Sequence, residues 1–202
     1  MEICSLAELR DVYEPPTELS LRKELGRIDR HARDFIGRSP FVVVSTSDAD
    51  GCPDASPRGD APGFVGVADE QRLHLPDRPG NNRLDTFQNL IANPRIALLF
   101  LVPGRLETLR VNGTARLLTQ PDLLQTYAVR GKPARAVVEV TAKNVYFQCG
   151  KAVVRSGLWQ TEKWPSLDGL ATFAEALADQ IKGIAQPEVE ARLEHSYRDR
   201  LY

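Results

Sequence analysis

The sequence has few cysteines and no long apolar run. Its three cysteines, Cys4, Cys52 and Cys149, stand far apart among 202 residues, and this odd, scattered set argues against a disulfide framework and against a clustered zinc site. The longest apolar stretch, from Ile96 to Val102, is far shorter than the roughly 20 residues of a membrane-spanning helix. The amino terminus carries acidic residues and no apolar core, which argues against a secretory signal. We therefore predict a cytoplasmic protein without a membrane partner.

The sequence also lacks an excess of charge of either sign. Its 26 lysines and arginines nearly balance 27 aspartates and glutamates, which leaves a formal charge of -1. A chain without a global positive field has no general attraction for nucleic acid or for an anionic membrane surface. We predict no nucleic-acid partner, and any anion-binding site has to be local.

The common catalytic and nucleotide-binding motifs are absent. The sequence contains no G-x-x-x-x-G-K-[ST] phosphate loop, no G-x-G-x-x-G after a strand, no H-E-x-x-H and no G-x-S-x-G. Its histidines, His31, His74 and His195, are far apart, and none lies at ligand spacing from a cysteine or a carboxylate pair. We predict that each is a surface or packing residue and that the protein has no metal site.

The length fits a single domain, residues 1–202, made mainly of β-strands with helices at both ends. The segment from Thr17 to Gly37 places apolar residues at helical spacing and predicts one amphipathic N-terminal helix. A C-terminal helical extension is predicted at about residues 160–202. Between these helices, about six strands favour an antiparallel sheet or small barrel over a parallel sheet.

Two of the predicted strands differ in their apolar pattern. The continuous run "RIALLFLV" is typical of a strand that is buried on both faces. In "ETLRVNGTA", strict alternation places Thr108, Arg110 and Asn112 on one face and Leu109 and Val111 on the other. Water is the default partner of the polar face, and a ligand is the alternative.

The loop "DRPGNNRLD" combines helix-start residues with surplus positive charge. Gly80 can adopt positive φ, Asn81 or Asn82 can cap the following helix, and an acidic residue in its first turn favours a helix start. Arg78 and Arg83 do not fit this local explanation, because cations are disfavoured beside the positive end of a helix dipole. A phosphate bound between the helix amino terminus and two guanidinium groups would resolve the conflict. The alternative is that Arg83 simply points into water.

A second arginine-containing segment, "SPRGDAPGFVGV", precedes an apolar strand. Arg58, Gly59 and Asp60 lie at its centre, and glycines there permit a bulge or the close approach of a flat ligand to the backbone. A kinked sheet edge with a solvated arginine explains the segment equally well.

Taken in order, these segments resemble the FMN-binding split-barrel proteins related to pyridoxamine 5'-phosphate oxidase. The resemblance runs from about Asp29 to Trp159 and includes "SPRGDAPGFV", "DRPGNNRLDTFQNLIANPRIALLFLVPGRLETLRVNGTARL" and "CGKAVVRSGLW". It is most specific from Arg78 to Ala115, where the sequence looks like an uncharacterised FMN-dependent branch rather than the oxidase itself. It implies a mainly β fold, a six-stranded antiparallel split β-barrel with Greek-key character, and a homodimer with FMN at the subunit interface.

The resemblance also implies where the FMN phosphate is held. Arg58 falls where the family places a basic residue toward the phosphate or the ribityl chain. Arg78, Asn82 and Arg83 fall in the loop and helix start that hold the phosphate.

The remaining implied contacts concern the flavin ring. Thr108 falls where relatives place a polar side chain or a backbone amide against the isoalloxazine edge. Lys151 and Trp159 lie in a segment that approaches the flavin from the neighbouring subunit in relatives. The complete predicted cofactor set is Arg58, Gly59, Asp60, Arg78, Asn81, Asn82, Arg83, Thr108, Leu109, Arg110, Lys151 and Trp159.

The sequence departs from the oxidase in two places. The serine-arginine-lysine phosphate motif of the oxidase is replaced by "RPGNNR", and the carboxy-terminal "SYRDRLY" lacks the context of its substrate-binding arginine and histidine. Oxidation of pyridoxamine phosphate is therefore not expected.

The resulting hypothesis is an FMN-dependent oxidoreductase that acts on an unknown small molecule, with reduced nicotinamide as the candidate electron donor. Flavin chemistry requires no acid or base that the sequence identifies, so no catalytic residue is named. One alternative is a flavin-binding sensor or carrier without turnover. Another is a split barrel that binds haem, with His74 as the only histidine in the region, or a deazaflavin.

Overall fold

The computed structural model describes residues 2–202, in which short helices flank one β-sheet. The eight α-helices found in these residues are α1 Leu6–Val12, α2 Glu18–Arg22, α3 Arg30–Ile36, α4 Asp85–Ala92, α5 Pro121–Thr126, α6 Lys151–Ser156, α7 Phe173–Gln180 and α8 Gln186–Asp199, with a 3-10 turn at Thr161–Lys163. The strands are β1 Phe41–Ser47, β2 Pro53–Gly59, β3 Gly66–Val67, β4 Arg72–Pro76, β5 Arg95–Leu101, β6 Thr108–Leu118 and β7 Val137–Gln148.

The strands form a single antiparallel sheet in the order β2-β1-β5-β6-β7-β4-β3. This confirms a mainly antiparallel β fold with flanking helices. The predicted six-stranded barrel is not confirmed, because seven strands are present and no backbone pairing within residues 2–202 joins β2 to β3. The two-residue β3 supplies the additional strand at the edge.

The core lies between one face of the sheet and the helices α3 and α4. In β6, Leu109 and Val111 are fully buried and alternate with half-buried polar residues, as the sequence predicts. In β5, however, Leu98 and Phe100 are buried whereas Ala97 and Leu99 are only half-buried. The continuous apolar run therefore does not mark a strand that is buried on both faces.

The predicted N-terminal helix over residues 17–37 is wrong in its middle. The structure has two short helices there, separated at Leu25, whose backbone N–H and C=O both pair with Val145 on β7 at 3.0 and 2.8 Å. A residue that bonds to a strand in this way cannot also continue a helical ladder. Asp29 starts the second helix by accepting a hydrogen bond from the backbone N–H of Ala32 at 2.8 Å.

The C-terminal part is helical, as predicted. Thr172 and Glu175 form a reciprocal capping box at the start of α7, and α7 packs against α8. Ala174 and Val189 are the buried residues of these two helices.

None of the helices in residues 2–202 combines the length and the apolar character needed to cross a bilayer. The three cysteines are exposed and unpaired within this part of the chain. The cytoplasmic location stays a prediction.

A bulge between β6 and β7 depends on the absence of a side chain at Gly113. The register shifts between Asn112 and Gly113, so that Lys143 has no partner across the ladder. A Cβ atom at Gly113 would overlap the carbonyl oxygen of Thr141 on the neighbouring strand.

We therefore expect Gly113→Ala to lower the free energy of unfolding by about 1–3 kcal/mol, because the central β6–β7 pair would have to move apart. Chemical denaturation measures this loss. Gly80→Ala is a suitable control, since a Cβ atom at Gly80 meets no other atom within 4 Å. Equal stability of the two variants would contradict this explanation.

Candidate functional site

A cavity of about 700 Å³ lies where the end of β2, the loop after β4 and the start of α4 meet. Three arginines and three aspartates contribute to its lining, together with the two residues at the C-terminal end of the sequence. We call it the arginine cavity, and it is lined by residues 56–60, Phe64, residues 76–87, Leu201 and Tyr202.

An ion pair between Arg78 and Asp60 connects two distant parts of the sheet at this cavity. Arg78 Nε donates to Asp60 Oδ2 at 2.9 Å, and the two side chains are 18% and 4% exposed. Arg78 follows β4 and Asp60 follows β2, which lie toward opposite ends of the strand order. A second donation, from Arg78 Nη1 to the Tyr127 carbonyl at 2.8 Å, fixes the guanidinium further.

Asp60 is the most fully hydrogen-bonded carboxylate of the cavity. Its Oδ1 accepts from the hydroxyl of Tyr202 at 2.7 Å and from the backbone N–H of Ala61 at 2.8 Å. Burial alone would raise the pKa of Asp60, but these two bonds and the Arg78 pair outweigh burial and lower the pKa below its usual 3.8. Asp60 is therefore an anion at neutral pH and neutralises Arg78.

The loop before α4 reaches the helix by left-handed residues other than glycine. Asn82 and Leu84 have φ values of 59° and 62°, whereas Gly80 is not among the positive-φ residues of the described chain. Asn81 Oδ1 accepts from the backbone N–H of Arg83 at 3.0 Å. Leu84 is the N-cap and makes no side-chain capping bond, so the prediction that Asn81 or Asn82 caps α4 is wrong.

This geometry leaves the helix start open toward a ligand. The first N–H groups of any α-helix lack intrahelical acceptors, and no side chain caps those of α4. The three residues around the helix start, Leu84, Asp85 and Thr86, all line the cavity. The site thus has the elements of an anion site at a helix amino terminus.

The two other arginines are held less tightly than Arg78. Arg58 donates to the Pro57 carbonyl at 2.9 Å and to Thr86 Oγ1 at 3.3 Å, which leaves it without a carboxylate partner within hydrogen-bond distance in the described chain. Arg83 Nε donates to Asp85 Oδ2 at 2.8 Å, and its side chain is 75% exposed. Both guanidinium groups retain N–H donors for a ligand, and the exposure of Arg83 agrees in part with the alternative that it points into water.

Asp77 is the acidic counterpart of these arginines. Burial raises the pKa of Asp77, and the positive charges of Arg58, Arg135 and Arg78 oppose that rise. Asp77 contributes a formal negative charge beside the arginines of the cavity. Together with Asp60 and Asp85, Asp77 gives the lining three aspartates, which equal its three arginines in number.

Seven of the twelve predicted cofactor residues meet in the arginine cavity. They are Arg58, Gly59, Asp60, Arg78, Asn81, Asn82 and Arg83.

The other five predicted residues lie outside the arginine cavity. Thr108 Oγ1 donates to Gln148 Oε1 at 3.3 Å, and Arg110 Nη1 donates to the Tyr146 hydroxyl at 3.0 Å, both across the β6–β7 pair. The Leu109 side chain is fully buried in the core. The last two belong to the segment that begins at α6: Lys151 is its exposed first residue, and Trp159 donates its indole N–H to the Arg105 carbonyl at 2.7 Å.

Sequence reasoning missed Asp77, Thr86 and Tyr202 as cavity residues. Asp77 stands directly before Arg78 at the end of a strand, which is a usable local signal. Thr86 is 4% exposed and shows no local signal of its contact with Arg58. Tyr202 reaches Asp60 across 142 positions of sequence, and no local pattern predicts such a contact.

A separate polar network surrounds His74 on β4. One ring nitrogen lies 2.9 Å from the Tyr127 hydroxyl and the other lies 3.1 Å from Glu139 Oε2. Glu139 also accepts from Arg116 at 2.8 Å. Burial raises the pKa of Glu139, but the bonds from His74 and Arg116 outweigh it and lower the pKa below its usual value. His74 is thus a packing residue with both ring nitrogens occupied.

The fold and site together define an antiparallel β protein with an anion-type cavity at the start of a helix. The chain belongs to the pyridoxamine 5'-phosphate oxidase family, whose model matches residues 28–149, more than half of the sequence. The family predicted from the sequence is therefore confirmed. No curated protein matches the chain.

The chain is similar to two solved structures. HupZ of Group A Streptococcus is 21% identical, with a TM-score of 0.51, and the match covers 60% of this chain and 94% of HupZ. A protein from Lactobacillus delbrueckii, described as a candidate pyridoxamine 5'-phosphate oxidase, is 22% identical over 61% of this chain and 98% of its own, with a TM-score of 0.48. At these identities the HupZ match supports the fold alone.

We expect Asp60→Asn to lower the free energy of unfolding at pH 7 by about 2 kcal/mol, because Arg78 loses a charged partner in a largely buried place. The folded-state pKa of Asp60 lies below its usual 3.8, so this stabilisation is present above that value and is lost as the pH falls through the folded pKa. Urea unfolding at pH 7 and at about pH 3 measures the difference between wild type and variant, which should shrink on acidification.

Asp50→Asn, in an exposed turn, is the matched control and should change little at either pH. A gap between wild type and Asp60→Asn that stays constant with pH would show that the charge of Asp60 does not stabilise the fold.

Proposed function

We propose that this protein is an FMN-binding flavoprotein and that it acts as an FMN-dependent oxidoreductase on a small molecule. The observation that carries the proposal is the arginine cavity, in which an uncapped helix start and three arginines converge in a chain of the pyridoxamine 5'-phosphate oxidase family.

The donor set of the cavity fits a phosphate group. Arg58 and Arg83 provide guanidinium N–H groups, and the start of α4 provides backbone N–H groups and the positive end of a helix dipole. Arg78 is already neutralised by Asp60, so it contributes mainly by holding the loop in place. Asp60 and Asp85 are paired with arginines, and the positive charges of Arg58, Arg135 and Arg78 lie close to Asp77.

When bound, FMN would supply hydride or electron transfer through its ring. The residues of this chain would anchor the phosphate, orient the ring against the sheet and exclude water from it. No side chain of the cavity is needed as an acid or base in this scheme.

We further propose a homodimer in which a second copy completes the flavin site. The five predicted residues outside the arginine cavity include Lys151 and Trp159, which fall in the segment that approaches the flavin from the neighbouring subunit in relatives. Thr108 and Arg110 share the half-buried polar face of β6 and would join them near the ring edge.

The haem alternative is disfavoured by the surroundings of His74. An axial ligand needs a free ring nitrogen, and both nitrogens of His74 are engaged, by Tyr127 and Glu139. A deazaflavin would occupy the same cavity, and so would the flavin of a carrier without turnover. The experiments below distinguish these two alternatives from the proposal.

Removal of a phosphate-binding arginine should weaken FMN binding. We expect Arg58→Ala and Arg83→Ala each to cost about 2–3 kcal/mol of binding free energy, because each removes a charge-assisted hydrogen bond. Quenching of flavin fluorescence measures the affinity. Riboflavin, which lacks the phosphate, should bind wild type and variants alike.

Arg192→Ala provides the control for surface charge, since Arg192 lies on α8 in an exposed ion pair with Glu188 and does not line the cavity. Unchanged FMN affinity in both cavity variants would refute the phosphate site.

Turnover should be visible as bleaching of the flavin. We expect the protein as purified to show a flavin absorbance spectrum and the mass of FMN on release, and anaerobic addition of reduced nicotinamide cofactor to bleach the flavin band. If the protein contains FMN but no donor reduces it, the carrier without turnover is favoured. If the released cofactor has the mass of a deazaflavin, a deazaflavin replaces FMN in the proposal.

A further inference from the structure

The strand β2 lies at one end of the strand order, and its half-buried face is polar. Asp54, Ser56 and Arg58 are half-buried and alternate with exposed residues, so their side chains lie on the same face of the strand. The helix α4 packs against β1 and β2. In the first turn of this helix, Thr86 is the buried residue, and its side chain meets the polar face of β2.

The polar groups of β2 and α4 form a chain of hydrogen bonds with a fixed direction. Arg58 Nη2 donates to Thr86 Oγ1 at 3.3 Å, and Thr86 Oγ1 donates to Asp54 Oδ2 at 3.4 Å. A guanidinium group has donors but no acceptor, and a carboxylate has acceptors only. The hydroxyl between them must therefore accept from Arg58 and donate to Asp54. We call this chain the Thr86 bridge.

The carboxylate end of the Thr86 bridge lies outside the arginine cavity. Asp54 does not line the cavity, whereas Arg58 and Thr86 do. Asp54 is held from its own strand, because Ser56 Oγ donates to the same Oδ2 atom at 3.3 Å. Asp54 can therefore affect the position of a bound ligand only through Thr86 and Arg58.

The Thr86 bridge holds Arg58 in a different way from the ion pair that holds Arg78. Asp60 accepts directly from Arg78 and neutralises it in place. Arg58 is fixed instead by a neutral hydroxyl and by the Pro57 carbonyl, to which it donates at 2.9 Å. Within residues 2–202, no hydrogen-bonded carboxylate cancels its charge, and its other N–H donors are left for an anion.

Asp77 does not take the place of the Thr86 bridge. The positive charge of Arg58 lowers the pKa of Asp77 against the larger effect of burial, so the two groups interact through space. No hydrogen bond joins their side chains in the described part of the chain. The orientation of the Arg58 guanidinium therefore depends on Thr86 and on the Pro57 carbonyl.

We propose that Thr86 and Asp54 are positioning residues, which hold Arg58 in the arginine cavity with its charge uncancelled so that it donates to the phosphate of the bound flavin. This inference rests on the flavin site proposed above and deepens it, because it adds two residues to the site and separates the roles of two arginines. Arg78 fixes the loop through its ion pair, and Arg58 binds the ligand.

Thr86→Val tests the bridge, since valine has nearly the shape of threonine but lacks the hydroxyl. We expect it to weaken FMN binding about threefold to tenfold, because Arg58 loses the hydrogen bond that orients it. Asp54→Ala should have a smaller effect in the same direction, and Thr86→Ser, which keeps the hydroxyl, should bind FMN as wild type does. Riboflavin has no phosphate and should bind all of these proteins equally. Quenching of flavin fluorescence measures each affinity.

A double variant separates this role from a general effect on the start of α4. Thr86 lies in the first turn of the helix, so its replacement could also disturb the backbone N–H groups there. If Thr86 acts through Arg58, Thr86→Val should not weaken FMN binding further once Arg58 is replaced by alanine. A loss of FMN affinity that is the same with and without Arg58 would refute the bridge and leave the flavin site in place.

Thr126→Val makes the same chemical change away from the arginine cavity. Thr126 lies on α5, where its hydroxyl donates to the Asp122 carbonyl at 2.9 Å, and it does not line the cavity. The FMN affinity of this variant should equal that of wild type, and chemical denaturation checks that each variant remains folded. A loss as large as that in Thr86→Val would count against a specific role of Thr86.

The restraint on Arg58 is also measurable without a ligand. Hydrogen bonds to the Nη atoms slow the rotation of a guanidinium group about its Nε–Cζ bond, and NMR of isotopically labelled arginine side chains measures this rotation. The Arg58 rotation should be about threefold to tenfold faster in Thr86→Val than in wild type or Thr86→Ser. If FMN fails to bind wild type, the flavin proposal is refuted and this comparison decides the bridge. Equal rotation rates in wild type and Thr86→Val would overturn it.

Discussion

The ion pair between Arg78 and Asp60 is the constraint on which the arginine cavity depends. The described chain has no backbone pairing that would close the sheet from β2 to β3, so side chains hold the ends of β2 and β4 together. A buried ion pair repays the cost of removing two charges from water only when its geometry is good and its remaining hydrogen-bonding groups are satisfied. Tyr202, Ala61 and the Tyr127 carbonyl meet that requirement here.

The same pair determines the electrostatics of the cavity. Asp60 neutralises Arg78 and Asp85 pairs with the exposed Arg83, so the positive charge without an acidic partner belongs to Arg58 and the start of α4. Three arginines without acidic partners would repel one another and destabilise the loop between β4 and the helix. The equal number of aspartates offsets this repulsion, so the cavity has no general positive field.

The sequence predicts the local features of the structure better than the distant ones. The alternation of β6, the arginine-rich loop and the start of α4 follow from residues close together in sequence, and the family resemblance explains why Arg58 belongs with that loop. The break in the N-terminal helix at Leu25 depends on pairing with Val145, and the position of Asp60 depends on a hydrogen bond from Tyr202. Each of these partners lies more than 100 positions away in the sequence. The helix cap was mispredicted for a different reason, since a leucine in the left-handed region is costly and is tolerated only where surrounding contacts impose it.

Two parts of the chain build the arginine cavity. Most of its lining lies within residues 28–149, the region that matches the family, whereas Leu201 and Tyr202 lie beyond it. The region shared with the family therefore supplies the three arginines and the uncapped start of α4. The C-terminal segment adds the hydroxyl of Tyr202, which donates to Asp60, so part of the order of the Arg78–Asp60 pair depends on residues outside the matched region.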